Sequence, residues 1–62
     1  MNTHISEWQR AANAWYDNQT THRLHSLYAG AWDANDADSA RNVVAALRRR
    51  GEDVSRYRWG AD

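Results

Sequence analysis

The side chains able to do chemistry are three histidines, His4, His22 and His25, and eight acids, Glu7, Asp17, Asp33, Asp36, Asp38, Glu52, Asp53 and Asp62. His22 and His25 stand three apart, so on a helix they share a side and could share a metal. A zinc site wants three or four ligands within reach. The remaining ligands would have to come from His4 or from an acid on another element, and the chain has no HExxH motif. The spacing therefore favours solvated or half-buried histidines over a metal centre.

Acid–base catalysis needs carboxylates whose pKa values are driven apart by desolvation. Most of the acids fall at expected helix starts, turns or the terminus, where water screens them. A chain of 62 residues also has little bulk with which to enclose a ligand cavity of several hundred Å³. There is no GxSxG, P-loop or GxGxxG pattern, and Ser and His meet only as His25-Ser26, adjacent positions that do not face each other on a helix. We expect no catalytic residue, no cofactor and no metal, and so no enzyme.

What must position any functional side chain is a body near the lower size limit for independent folding. The chain has no cysteine, which excludes disulfides, thiolate metal sites and a cysteine nucleophile. It has no proline, and its three glycines are Gly30, Gly51 and Gly60. No apolar run approaches the roughly 18 residues of a membrane helix, and no signal-peptide core is present, so a cytoplasmic location without membrane contact is expected. Trp8, Trp15, Trp32 and Trp59 are spread along the whole chain, as a shared core would require, each indole able to bury roughly 150–250 Å².

Periodicity predicts three helices, at about 4–18, 21–33 and 37–50, with a tail over 52–62. Ile5, Trp8, Ala12, Trp15 and Gln19 form the first stripe, capped by Thr3 or Ser6, and Ser6-Glu7-Trp8-Gln9 fits a capping box. Leu24, Leu27, Tyr28, Ala31 and Trp32 form the second, with Thr20 or Thr21 at its N-cap. Gly30 inside it costs about 1 kcal/mol against alanine, which close approach of a neighbouring helix would offset. Asp36 or Asp38 caps the third helix, whose stripe is Ala40, Val43, Val44 and Leu47. Arg48, Arg49 and Arg50 occupy its last turn, and Gly51 follows as the C′ residue. Short connections between antiparallel neighbours make this an all-α chain, a small three-helix bundle in one domain spanning residues 1–62, with the tail packed on it.

Charge is the remaining signal. The chain holds eight arginines and no lysine against eight acids. That is the balance of GC-rich coding, as in actinobacteria and their phages, and it supplies planar, stacking cations throughout. Residues 1–38 carry two arginines against five acids, a net −3, and residues 39–62 carry six against three, a net +3. Arg41, Arg48, Arg49, Arg56 and Arg58, interleaved with Tyr57 and Trp59, are the ingredients of a nucleic-acid surface. The same arginines also suit a helix C-terminus and cover apolar surface. A sequence pI near 6.8 argues against a dedicated nucleic-acid binder.

Ala46-Leu47-Arg48-Arg49-Arg50-Gly51-Glu52-Asp53-Val54-Ser55-Arg56-Tyr57 resembles the end of helix-turn-helix modules in phage HNH endonucleases. There a helix with a basic face runs into a Gly-x-Asp-x-Ser turn and an aromatic. The likeness covers twelve residues, implies contact with nucleic acid, and comes without an HNH metal motif elsewhere in the chain. The acidic stretch from Asp33 to Asp38 lies where such modules approach phosphate.

Seven aromatics with Ile5, Leu24, Leu27, Val43, Val44, Leu47 and Val54 nearly exhaust what so small a core can hold. Any aromatic left outside becomes a patch, and exposed patches mark interfaces. The expected function is a small non-enzymatic interaction module, of the kind a phage or actinobacterium uses to modulate or inhibit a larger protein. Its expected partner-binding residues are Arg48, Arg49, Arg56, Tyr57, Arg58 and Trp59, with Tyr16 the next aromatic expected outside. The partner is another protein or a second copy, whose acidic end meets this chain's basic end. The alternative is a nucleic-acid-binding module using Arg41, Arg48, Arg49, Arg56 and Arg58.

Overall fold

The computed structural model describes residues 6–59. Helix α1 runs Glu7–Asp17, α2 Thr21–Asp33 and α3 Ala37–Arg49, followed by an irregular segment over 50–59 and no strand among the described residues. The all-α three-helix bundle with a packed C-terminal segment is therefore the fold. The expected Thr3, His4, Ile5, Gly60 and Asp62 lie outside the described residues.

Each helix starts where a side-chain oxygen satisfies an orphan backbone N–H. Ser6 Oγ accepts from Gln9 N at 3.0 Å, Thr20 Oγ1 from Arg23 N at 3.0 Å, and Asp36 Oδ1 from Ser39 N at 3.1 Å. Helix α1 begins at Glu7 rather than near residue 4 because Ser6 is extended, with ψ 157°. Only half of the expected capping box forms. The Gln9 side chain reaches sideways to Asn13 Oδ1 at 2.9 Å and to Asn42 Oδ1 on α3 at 3.4 Å.

Two helices end in the same motif. Asn35 has φ 58°, its N–H donates to Trp32 O, and Asp36 N donates to Ala31 O. Gly51 has φ 84°, its N–H donates to Arg48 O, and Glu52 N donates to Leu47 O. Both are Schellman closures around a left-handed residue.

The core is Leu24, Tyr28 and Ala31 of α2, Ala40, Val43, Val44, Ala46 and Leu47 of α3, and Val54. Tyr16, Leu27, Tyr57 and Trp59 pack against it, half-buried. Leu24, Tyr28, Val43, Val44 and Leu47, with alanines between them, fill the space where α2 meets α3, and no indole is among the buried residues. The expectation of core tryptophans is accordingly wrong for Trp8, Trp15 and Trp32, which are 73%, 49% and 44% exposed.

Helix α1 turns a different face to α3 than its apolar stripe predicts. Its half-buried positions are Gln9, Ala12, Asn13 and Tyr16, and none is fully buried. The packed stripe is thus displaced by one residue from Trp8 and Trp15. Gln9 opposite Asn42 and Asp17 opposite Arg49 set α1 parallel to α3, and Arg50 opposite Thr21 sets α2 antiparallel to it, so both helices pack on α3. Gly30 does not serve close helix approach, since a Cβ placed there meets nothing within 4 Å.

Candidate functional site

The segment after Gly51 turns back along α2. Asp53 Oδ1 accepts from Ser55 N at 2.9 Å, closing an Asx turn, and Val54 enters the core. This bond from the Ser55 backbone, with a second from its side chain, holds the Asp53 carboxyl below its ordinary 3.8. No fourth helix follows among the described residues, so the stretch that resembles a helix-turn-helix ending leads here into irregular chain.

From this turn the aromatics climb α2 in step. The Tyr57 ring lies 4.2 Å, centroid to centroid, from Tyr28, and Trp59 lies 4.6 Å from Trp32. Trp59 N donates to Tyr28 Oη at 3.3 Å. The Tyr57 hydroxyl meets His25 Nδ1, and Arg56 Nη2 donates to the same nitrogen at 3.1 Å and to Tyr57 Oη at 3.3 Å. A guanidinium can only donate, so His25 accepts at Nδ1 in this arrangement. The Arg56 guanidinium carbon also stands 5.2 Å from the Tyr57 ring centre, within cation–π range. Tyr57 and Trp59, expected as the first aromatics outside the core, are thus half-buried on it, and so is Tyr16. The indoles that stay outside are Trp8, Trp15 and Trp32.

Between α2 and this segment lies an open groove of about 400 Å³. Tyr28, Ala29 and Trp32 line one side and Tyr57 the other, with Arg56, Arg58 and Asp33 at the rim. Its lining is aromatic and its rim charged, with two cations against one acid. Of the expected partner-binding residues the groove gathers Arg56, Tyr57 and Arg58, with Trp59 behind Trp32. The sequence pattern assigns Tyr28 and Trp32 to the core stripe and does not mark Ala29 at all. The signal for Ala29 and Trp32 is their i, i+4 relation to His25 and Tyr28.

The other arginines are elsewhere. Arg49 is bonded to Asp17 Oδ1 through Nε at 3.1 Å and Nη2 at 2.8 Å, and Arg41 Nη1 pairs with Asp38 at 3.3 Å. Arg48 lies with them on α3, away from the groove. Arg50, outside every expected set, binds the α1–α2 connection through Asp17 O, Gln19 O and Thr21 Oγ1. Of the five arginines of the nucleic-acid alternative, Arg41 and Arg49 are thus paired with carboxylates and Arg56 and Arg58 stand at the groove rim.

Among the described residues no group of three or more histidines and acids lies close enough to hold a metal ion. No helix among them is long and apolar enough to cross a membrane. The chain matches no protein-family model, no curated protein and no solved structure.

Proposed function

We propose that this chain is a non-enzymatic interaction module that takes an extended segment of another protein into the groove between α2 and the C-terminal segment. The observation that carries this reading is the open aromatic groove of Tyr28, Trp32 and Tyr57 with Arg56 and Arg58 at its rim. Aromatic rings offer apolar area at low entropic cost, and Trp, Tyr and Arg dominate interface hot spots. The rim cations favour a ligand with an acidic residue beside an apolar or aromatic anchor. A modulator or inhibitor of a larger protein is the role that suits this size, with the cytoplasm as its place of action.

Ala29 offers the test, because it is an exposed helical residue on the groove wall whose replacement leaves the core intact. Immobilised wild type and Ala29→Glu are offered the same lysate, and retained proteins are identified by mass spectrometry. A protein retained by wild type, lost on Ala29→Glu and weakened on Arg58→Glu supports the reading. Equal retention by wild type and Ala29→Glu, or retention of nothing, ends it. Retardation of duplex or single-stranded nucleic acid at low salt, falling steeply as salt rises, would support the nucleic-acid alternative instead.

A further inference from the structure

Helix α1 carries a second surface, on the opposite side of α2 from the aromatic groove and independent of it. Trp8 and Trp15 stand seven apart, two helical turns, on a flank of α1 where they are 73% and 49% exposed. Trp15 also forms one wall of a groove of about 310 Å³ between α1 and α2, whose floor includes Leu27, Gly30 and Ala34. The floor is open at Gly30, where even a Cβ would touch nothing. A protruding indole and a recess thus lie on one face of one molecule.

We propose that this face pairs with the same face of a second copy, the two α1 helices antiparallel about a two-fold axis between Ala11 and Ala12. Two pairs are symmetric about that point, Trp8 with Trp15 and Ala11 with Ala12. An axis there sets Trp8 of each copy beside Trp15 of the other and over its Gly30 recess, while the small, exposed Ala11 lets the helices approach. A two-fold interface requires such self-complementarity, each patch supplying both the knob and the hole.

Charge favours the same antiparallel arrangement. At the end where α2 stops and α1 and α3 begin, Glu7, Asp33, Asp36 and Asp38 outnumber Arg10 and Arg41. At the other end Arg23, Arg48, Arg49 and Arg50 outnumber Asp17, Glu52 and Asp53, and Arg49 is already paired with Asp17. The two-fold brings the acidic end of each copy alongside the arginine end of its mate, whereas a parallel pair would juxtapose like charges.

Area sets the strength. Each indole has roughly 150–250 Å² to bury, and part of that is already covered, whereas a standard interface takes about 800 Å² from each partner. The pair is therefore a weak dimer, populated at high concentration and loosened by salt.

The test is sedimentation equilibrium of the full chain from about 10 μM to about 1 mM, the range in which weak interfaces dissociate. A monomer–dimer equilibrium at least tenfold weaker in Ala11→Glu and in Gly30→Gln, with thermal unfolding of dilute protein no lower than wild type, supports the proposal. A monomer throughout the range overturns it. So does a dimer that persists in both variants, or one lost only in Ala29→Glu, which blocks the other groove. Because the chain lacks cysteine, Ala11→Cys adds an independent readout. Ala11→Cys should form a disulfide-linked dimer under air oxidation faster than Ala29→Cys, and equal rates would count against the two-fold.

Discussion

The guanidinium of Arg50 donates to the carbonyl of Gln19 at 2.8 Å, across 31 residues of chain. The same group donates to Asp17 O and to Thr21 Oγ1, each at 3.2 Å. One side chain from the end of α3 thus satisfies acceptors at the end of α1 and the start of α2, where a helix leaves its last carbonyls without partners. Helix α1 buries no residue fully, so this clamp is a large part of what ties it to the bundle.

Hydrogen bonds from a charged donor contribute about 1.5–3 kcal/mol where they are shielded. Arg50→Ala should lower stability by about 2 kcal/mol, or roughly 10 °C in Tm for a domain of this size. Lysine, a point charge without the planar fork, should not restore it. Arg49→Ala is the contrast. Its pair with Asp17 joins side chains 40% and 47% exposed, so the loss should stay below about 1 kcal/mol. Thermal melts of the three variants rank the two arginines, and an Arg49 effect equal to that of Arg50 would refute the ranking.

The two left-handed helix ends differ in what a small residue does for them. Gly51, at φ 84°, should lose about 1 kcal/mol on replacement by alanine, whose Cβ meets a steric penalty there. Asn35, at φ 58°, already carries such a Cβ, and Asn35→Gly should stabilise by roughly 0.5 kcal/mol. Asn35→Ala should destabilise by about 1 kcal/mol, because alanine lacks the short polar side chain that makes asparagine tolerable in this region. Gly30 has helical backbone and open space, so Gly30→Ala should stabilise by up to about 1 kcal/mol. Chemical denaturation at constant m-value checks all four signs.

Acid should act through two carboxylates. Asp36 is held below its ordinary 3.8 by the Ser39 hydroxyl at 2.7 Å and then by the Ser39 N–H, and Asp53 by Ser55. A group whose pKa is depressed on folding contributes stability above its unfolded pKa, and loses it as pH falls through the folded value. The window is therefore below about pH 4. Asp36→Asn keeps a capping acceptor but has no proton to take up. Its Tm should fall less than that of wild type between about pH 5 and pH 2. Parallel curves for the two proteins would exclude this role for Asp36.

Much of this architecture is legible in the sequence, because its punctuation is local. Ser6, Thr20 and Asp36 are capping residues by type, Gly51 ends α3 as a left-handed residue must, and the α2 and α3 stripes meet at helical spacing. The face of α1 is not legible, because an apolar stripe says what burial would gain and not whether there is room. The α2–α3 pair fills its core with its own leucines, valines, alanines and Tyr28, and α1 meets it through Gln9, Asn13 and Tyr16 while Trp8 and Trp15 stay largely exposed. The groove is legible only in part. Arg56, Tyr57 and Arg58 stand out by composition, but their union with Tyr28, Ala29 and Trp32 depends on the course of an irregular segment that no periodicity describes. Arg50 is hidden for a similar reason, since its acceptors are mostly backbone carbonyls, which carry no sequence signature.

Tyr57 should be the residue that keeps this segment docked. Its ring lies against Tyr28, while its hydroxyl meets His25 and Arg56 at the groove's edge. Tyr57→Phe retains the ring and loses only partly exposed polar contacts, so its stability should change by less than about 1 kcal/mol. Tyr57→Ala removes the ring from a half-buried stack and should cost about 2 kcal/mol. The effect should be local. Amide exchange over residues 54–59, including the Trp59 N–H that Tyr28 accepts, should quicken in Tyr57→Ala and change little in Tyr57→Phe. Exchange within α3 should follow only the global loss. If residues 54–59 exchange alike in wild type and Tyr57→Ala, the segment is held by Val54 and Trp59 alone, and the groove does not depend on Tyr57.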